Sequence, residues 1–218
     1  MNDFDDVARI EDVLQTWFAG DVNDAAVMQV RMDKLFSVDP AFDEALRASF
    51  APLVERALDG ALDGWAAAAR GALALIVLLD QLPRNLFRGS ARAFAGDARA
   101  RHIALQAFAV GHERLLAPVE RVFLYLPLEH AEDLALQERC VAGQEALRAA
   151  ARPDFAALMD QVVAAGHAHR EIVARFGRFP HRNLLLGRPS TPEELAWLAE
   201  NRHGWGQGAA DLERCRQL

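Results

Sequence analysis

The chain has 218 residues and a formal net charge of −7 at pH 7; 52% of its residues are hydrophobic and 8% aromatic. A length of that order lets roughly 70% of the unfolded surface be buried in one compact unit, so a substantial core is expected. The acidic balance argues against a general nucleic-acid coat, which draws on surplus basic side chains. The longest apolar run, Ala72 to Leu79, falls well short of the about 20 residues a membrane span needs.

Alanine, leucine and arginine dominate, the profile of packed helices, whereas strand-forming material is scarce and Tyr125 is the one tyrosine. Every basic residue except Lys34 is an arginine, a side chain suited to planar, two-pronged contacts with carboxylate or phosphate. Cys140 and Cys215 stand far apart in no C-x-x-C spacing, which indicates neither a disulfide framework nor a thiolate metal site. The acidic segment Met1 to Asp12 carries no signal-peptide pattern, and a cytoplasmic location is expected.

In chain order, apolar periodicity predicts a first helix over Phe4 to Phe18, ended by Gly20, and a weaker one over Asn23 to Phe36. Asp39-Pro40 reads as an N-cap followed by proline at the first helical position. That helix carries Phe42, Leu46 and Phe50, and Pro52 is expected to kink or split it. A helix over Asp63 to Gln81 is apolar on every side from Ala72 to Leu79, so it should be the central, covered one, stopped by Pro83. Further helices are predicted over Ser90 to Val110, Glu113 to Leu126 with Pro118 as a kink, Pro127 to Arg152, and Asp154 to Phe176. Thr191-Pro192-Glu193-Glu194 has the hydroxyl and the glutamate of a capping box. The expected fold is all-α: one domain over 1–218, an irregular array of antiparallel helical hairpins around one buried central helix, with 202–218 a loose tail that Trp205 docks.

Three segments could carry chemistry. In Asp80-Gln81-Leu82-Pro83-Arg84-Asn85-Leu86-Phe87-Arg88, an aspartate follows the most apolar helix and needs a partner, since an unpaired buried carboxylate costs several kcal/mol. Arg84 and Arg88 either clamp the turn, with Asn85 closing it, or present a guanidinium to an anion. The second segment, Arg175 to Asn183, repeats a helix end, a proline and an Arg-Asn pair, and offers Arg178, His181, Arg182 and Asn183. His169 keeps step with Val162 and Val173 and reads as a core histidine; His181, in a turn after proline, is the better ligand or acid–base candidate. The third places Glu129, His130, Asp133 and Gln137 together as one stripe on a helix opened by Pro127. Its spacing matches neither H-E-x-x-H nor the E-x-x-H of di-iron bundles, so no metal and no cofactor are expected.

Taken together, these motifs resemble the domain-of-unknown-function family 924, from about Val13 to Leu198. The resemblance rests on Phe42-Asp43, Leu79 to Asn85 with Arg88-Gly89, Phe94-Ala95 with Asp97, Phe123 to Pro127 with Glu129-His130 and Glu132-Asp133, Arg175 to Asn183, and Leu186-Gly187-Arg188 before the capping box. The chain departs from the family pattern at Leu82 and Leu128, where phenylalanine is usual, at Leu35, where tryptophan is, and at Ala131, where serine is. The resemblance implies a tetratricopeptide-like helical fold and no activity, and it implies that the polar motifs belong together.

Two functions fit. As a binding protein, the chain would take an anionic small molecule, peptide or partner protein on Arg84, Asn85, Arg88, Arg178, Arg182, Asn183 and Gln137. As an enzyme, it would use His130, His181, Asp80, Glu129 or Asp133 as acid and base beside those arginines. Binding is the preferred reading. Arginines spread along an open surface would mark a groove binder; catalysis would require an imidazole or carboxylate within hydrogen-bond reach of a pocket that also holds an arginine.

Overall fold

In a computed structural model the described residues are 3–201, with side chains from residue 5, and all regular structure among them is helical. The expected tail at 202–218, with Trp205 and Cys215, lies outside the described residues. Ten α-helices follow in order: α1 Asp3–Phe18, α2 Ala25–Leu35, α3 Pro40–Leu58, α4 Ala69–Ile76, α5 Leu82–Leu86, α6 Asp97–Ala109, α7 Pro118–Glu129, α8 Leu134–Ala149, α9 Ala156–Phe176 and α10 Pro192–Glu200. Short 3₁₀ turns fill several connections, and a π turn, Val77–Gln81, joins α4 to α5.

The helix starts follow local chemistry. Asp24 and Asp39 accept hydrogen bonds from the first free amides of α2 and α3, and Pro40 opens α3 as expected. At α10 the Glu194 amide donates to the Thr191 hydroxyl while the Thr191 amide donates to the Glu194 carboxylate, completing the capping box.

Four prolines behave differently from their sequence reading. Pro52 neither splits α3 nor ends it; its position is exposed, so water can satisfy the carbonyl it orphans. Pro83 does not stop the central helix, because the chain passes through the π turn there, with the Leu82 amide donating to the Val77 carbonyl five residues back. The wider turn accommodates a ring that would clash with the preceding turn of an α-helix. Pro118 is no kink: it is the first residue of α7, where a missing amide costs nothing. Pro127 lies inside α7 rather than opening the next helix, so α7 ends at Glu129, with His130 as its C-cap, and α8 begins at Leu134. The predicted helix over Ser90 to Val110 likewise begins only at Asp97, after a 3₁₀ turn over Ala91–Phe94.

The central helix is as buried as its composition demands. Every residue from Gly71 to Pro83 is buried, and α4 packs against α1, α6 and α7. The main core runs from Val13 and Trp17 of α1 through Leu73–Leu79 to Phe123 of α7 and Met159 of α9. Helices α7, α8 and α9 pack successively on one another, joined by short turns. A second, smaller cluster, Ile172, Val173 and Phe179 with Phe176 and Trp197, fastens α10 to the end of α9.

Candidate functional site

The π turn decides the site, because it delivers Asp80 and Gln81 sideways from the buried helix to the edge of a cavity of about 440 Å³. Such bulges recur at functional positions because they re-aim side chains without ending a helix. Its apolar lining comes from Met32 and Leu35 of α2, Phe36 just after it, Val122 and Leu126 of α7, and Leu158 and Val162 of α9, with Asp33 and Gln161 on the same helices. Its polar end is formed by Gln81, Arg84, Asn85, Arg88, Glu129, His130, His169, His181 and Arg182.

Asp80 is fully buried behind this polar end. Its Oδ1 lies 2.8 Å from His130 Nδ1 and 3.2 Å from Arg84 Nη1, and the Gln81 side-chain amide donates to Oδ2. Burial opposes ionisation of this carboxyl, but the Arg84 guanidinium and His130 outweigh it and hold Asp80 well below the usual carboxylate range. Arg84 is shared: its Nη1 and Nη2 donate to Asp97 Oδ1 and Oδ2 at 2.9 and 3.1 Å. Arg88 Nε donates to Asp43 Oδ2 at 2.6 Å, and Asn85 Nδ2 donates to Asp43 Oδ1 at 2.7 Å.

Arg182 comes from the second proline turn and meets the first at Asp97, to which its Nη1 donates at 3.2 Å. Its guanidinium lies between the Phe94 and Phe179 rings, 4.8 and 4.4 Å from their centroids. Burial, only partly offset by Asp97, lowers its pKa to about 10. Its Nε is buried and makes no hydrogen bond among the described residues. Burial also drives His181 well below its ordinary pKa, helped by the Arg182 charge, and drives His169 down against the pull of Glu129.

Glu129 is 4% exposed and fixed from two sides: Gln144 Nε2 donates to its Oε2 at 2.6 Å, and His169 Nδ1 lies 3.3 Å from its Oε1. Gly166 makes room for Gln144, since a Cβ there would stand 2.0 Å from Gln144 Oε1. Cys140 lies nearby, and burial together with Glu129 pushes its thiol far above the ordinary range.

The structure thus brings Arg84, Asn85, Arg88, Glu129, His130, His181 and Arg182 to one cavity, with Asp80 directly behind. It does not bring the rest. Asp133 caps α8 by accepting from the Leu136 amide, and Gln137 is buried with its amide donating to the carbonyls of Glu129 and Ala131. The expected stripe on one helix is therefore a helix end, a turn and a helix start. Arg178 is committed to Glu194, with Nε–Oε1 2.7 Å and Nη2–Oε2 2.8 Å; Asn183 Nδ2 donates to Ser190 Oγ at 3.0 Å and to Glu194 Oε2 at 3.3 Å. These two hold the second turn onto α10. Sequence reasoning quoted Gln81 in the first turn and Phe94 and Asp97 among the family motifs without assigning them to the site, and it placed His169 in the core. The two Arg-Asn turns both called for carboxylates, but nothing local identified Asp97 as the one they share.

Among the described residues the fold is all-helical, with a cavity lined by apolar side chains of α2, α7 and α9 and by arginine, histidine and carboxylate groups. A family model described as a bacterial protein of unknown function, DUF924, matches residues 13–202, and the chain belongs to that family. It is also similar to a solved protein of unknown function, ATU0120 from Agrobacterium tumefaciens, at 38% identity and a TM-score of 0.75, over 89% of this chain and 98% of that one. No curated protein matches. Among the described residues no helix is long and apolar enough to cross a membrane.

Proposed function

We propose that this protein binds a small amphipathic organic anion, its apolar part against Met32, Leu35, Phe36, Leu126 and Leu158 and its charged head at Arg182. The cavity of about 440 Å³ falls within the range usual for small-molecule sites, and its apolar wall with convergent polar groups is the common pattern for them. The observation that carries the reading is the Arg182 Nε, a buried charged-group donor that makes no hydrogen bond among the described residues beside that cavity. A buried donor of this kind is costly unless an acceptor arrives. Arg84, Arg88 and Arg182 gather at one cavity instead of lining an open groove, which favours a small molecule over a peptide. A reaction on the bound molecule is a second reading, supported by the Asp80–His130 pair at the same polar end.

Thermal unfolding in the presence of octanoate, octyl phosphate, octanol and inorganic phosphate tests the first reading. Octanoate or octyl phosphate is expected to raise the midpoint, with a gain of about 2.7 kcal/mol at 100 times the dissociation constant. Octanol and inorganic phosphate, each lacking half of the recognised chemistry, should act weakly. Arg182→Met should abolish the preference for the anionic over the neutral compound. Equal shifts from octanol and octanoate, or none from any compound, would remove the proposal.

A further inference from the structure

We propose that Glu129, His130 and His169 form a binding site for one divalent transition metal at the polar end of the cavity. One donor atom from each lies within 4.8 Å of the other two. Around zinc, with bonds of about 2.1 Å to nitrogen or oxygen, donors stand roughly 3.4 Å apart. Movements of about 1 Å in the side chains close that difference, so no backbone change is required.

The surroundings orient these donors in the way metal sites require. His130 Nδ1 faces the buried Asp80 carboxylate at 2.8 and 3.0 Å, which places the ring proton on Nδ1 and the lone pair on Nε2. His169 Nδ1 lies 2.9 Å from the Ala165 carbonyl, one turn back along α9, which fixes the orientation of the ring. A carboxylate or carbonyl behind a histidine fixes its orientation and strengthens it as a ligand. Glu129 completes the set. The three aspartates at this end, Asp43, Asp80 and Asp97, are each bonded to an arginine, whereas Glu129 Oε1 faces His169 Nδ1 at 3.3 Å. A buried carboxylate held rigid by Gln144 and unmatched by a guanidinium is suited to a cation.

Two imidazoles and one carboxylate are the ligand set of catalytic zinc sites and also suit ferrous iron; three protein ligands leave positions open. Here the open side is the cavity, since all three side chains line it. The site's role rests on the pocket reading: the metal would receive the head group of the bound anion. An imidazole so occupied is no longer an acid–base group, and the chemistry would pass to metal-bound water. The ligands come from the end of α7 and the middle of α9, which explains why no spacing in the chain announces them.

Untagged, chelator-stripped protein is titrated with Co²⁺ and read by visible absorption and by metal content. One equivalent is expected, with d–d bands that Glu129→Gln and His169→Ala abolish and that His167→Ala, at an exposed histidine, leaves intact. Asp80→Asn, at a positioning residue, should weaken binding about 10- to 100-fold and shift the bands. If these variants fail to fold, Zn²⁺ titration of the wild type followed by imidazole ¹⁵N shifts decides, with two histidines expected to respond. No bound metal, unchanged binding in Glu129→Gln and His169→Ala, or a response at His102 and His112 instead would overturn the site. Repeating the octanoate series with and without metal separates the claims: shifts in stripped protein with no Co²⁺ binding would sink the metal alone, and Co²⁺ binding with no anion effect would sink the pocket reading alone.

Discussion

Glu194 illustrates how one residue can carry a segment. Its carboxylate takes both prongs of Arg178, bonds the Asn183 side chain and caps α10 through the Thr191 amide. The Arg178 contact, opposed by burial and aided by the Thr191 amide, brings its pKa down to about 2, from an ordinary value a little above 4. A carboxyl with a depressed folded-state pKa stabilises fully above its ordinary value, and that stability is lost as pH falls through the folded value. Lowering the pH from about 5 towards 2 should therefore loosen α10 and the turn beneath it ahead of the core. Hydrogen exchange at the α10 amides should rise in that window while those of α4 stay protected, and Glu194→Gln should show fast α10 exchange already at neutral pH. Asp80 is the opposite kind of residue. It is so enclosed that its effects are on orientation, aiming His130 and tethering Arg84, and its position was legible only as the end of an apolar run followed by arginines.

At the scale of elements, prolines were the main source of error, and the reason is common to them all. A proline forbids one donor and one steric arrangement, but whether it ends a helix depends on what the orphaned carbonyl meets. The π turn absorbs Pro83, α7 carries Pro127 three residues before its C-cap, and exposed Pro52 leaves its carbonyl to water. At that last site water alone replaces the lost bond. Pro52→Ala restores an amide that can donate to the Ala48 carbonyl, and it should stabilise the protein by about 2 kcal/mol, the helix-interior penalty of proline less its entropy benefit in the unfolded chain. Urea denaturation checks the sign; a loss of stability would mean that the ring packs in a way its exposure denies. Caps were read more accurately than interiors, because Asp39-Pro40 and Thr191 to Glu194 satisfy their own amides locally.

Over the whole molecule, the hairpin succession α7–α8–α9 and the buried α4 form one core, and Cys140 sits within it fully enclosed. A thiol whose ionisation is suppressed by burial and by Glu129 reacts only when that core opens. In a Cys215→Ser background, labelling of Cys140 by a thiol reagent should follow the global unfolding equilibrium, with the same denaturant dependence as the loss of far-ultraviolet circular dichroism. Rapid labelling of the native protein would reveal a local opening of α8 against α7.

The amino-acid order alone determined the helical class, the wholly buried central helix and the two caps, because these depend on periodicity and on bonds made within a few residues. It also marked Asp80 at the end of an apolar helix and Arg84, Arg88 and Arg182 in two proline turns as polar groups in need of partners. Only the tertiary structure decided which of them meet. Asp97 joins two arginine turns from distant parts of the chain, Glu129 and His130 close on His169 from another helix, and Asp133, Gln137, Arg178 and Asn183 turn to capping and fastening. Such meetings depend on how helices cross and where a helix bulges, which packing of the whole core settles and no local spacing encodes.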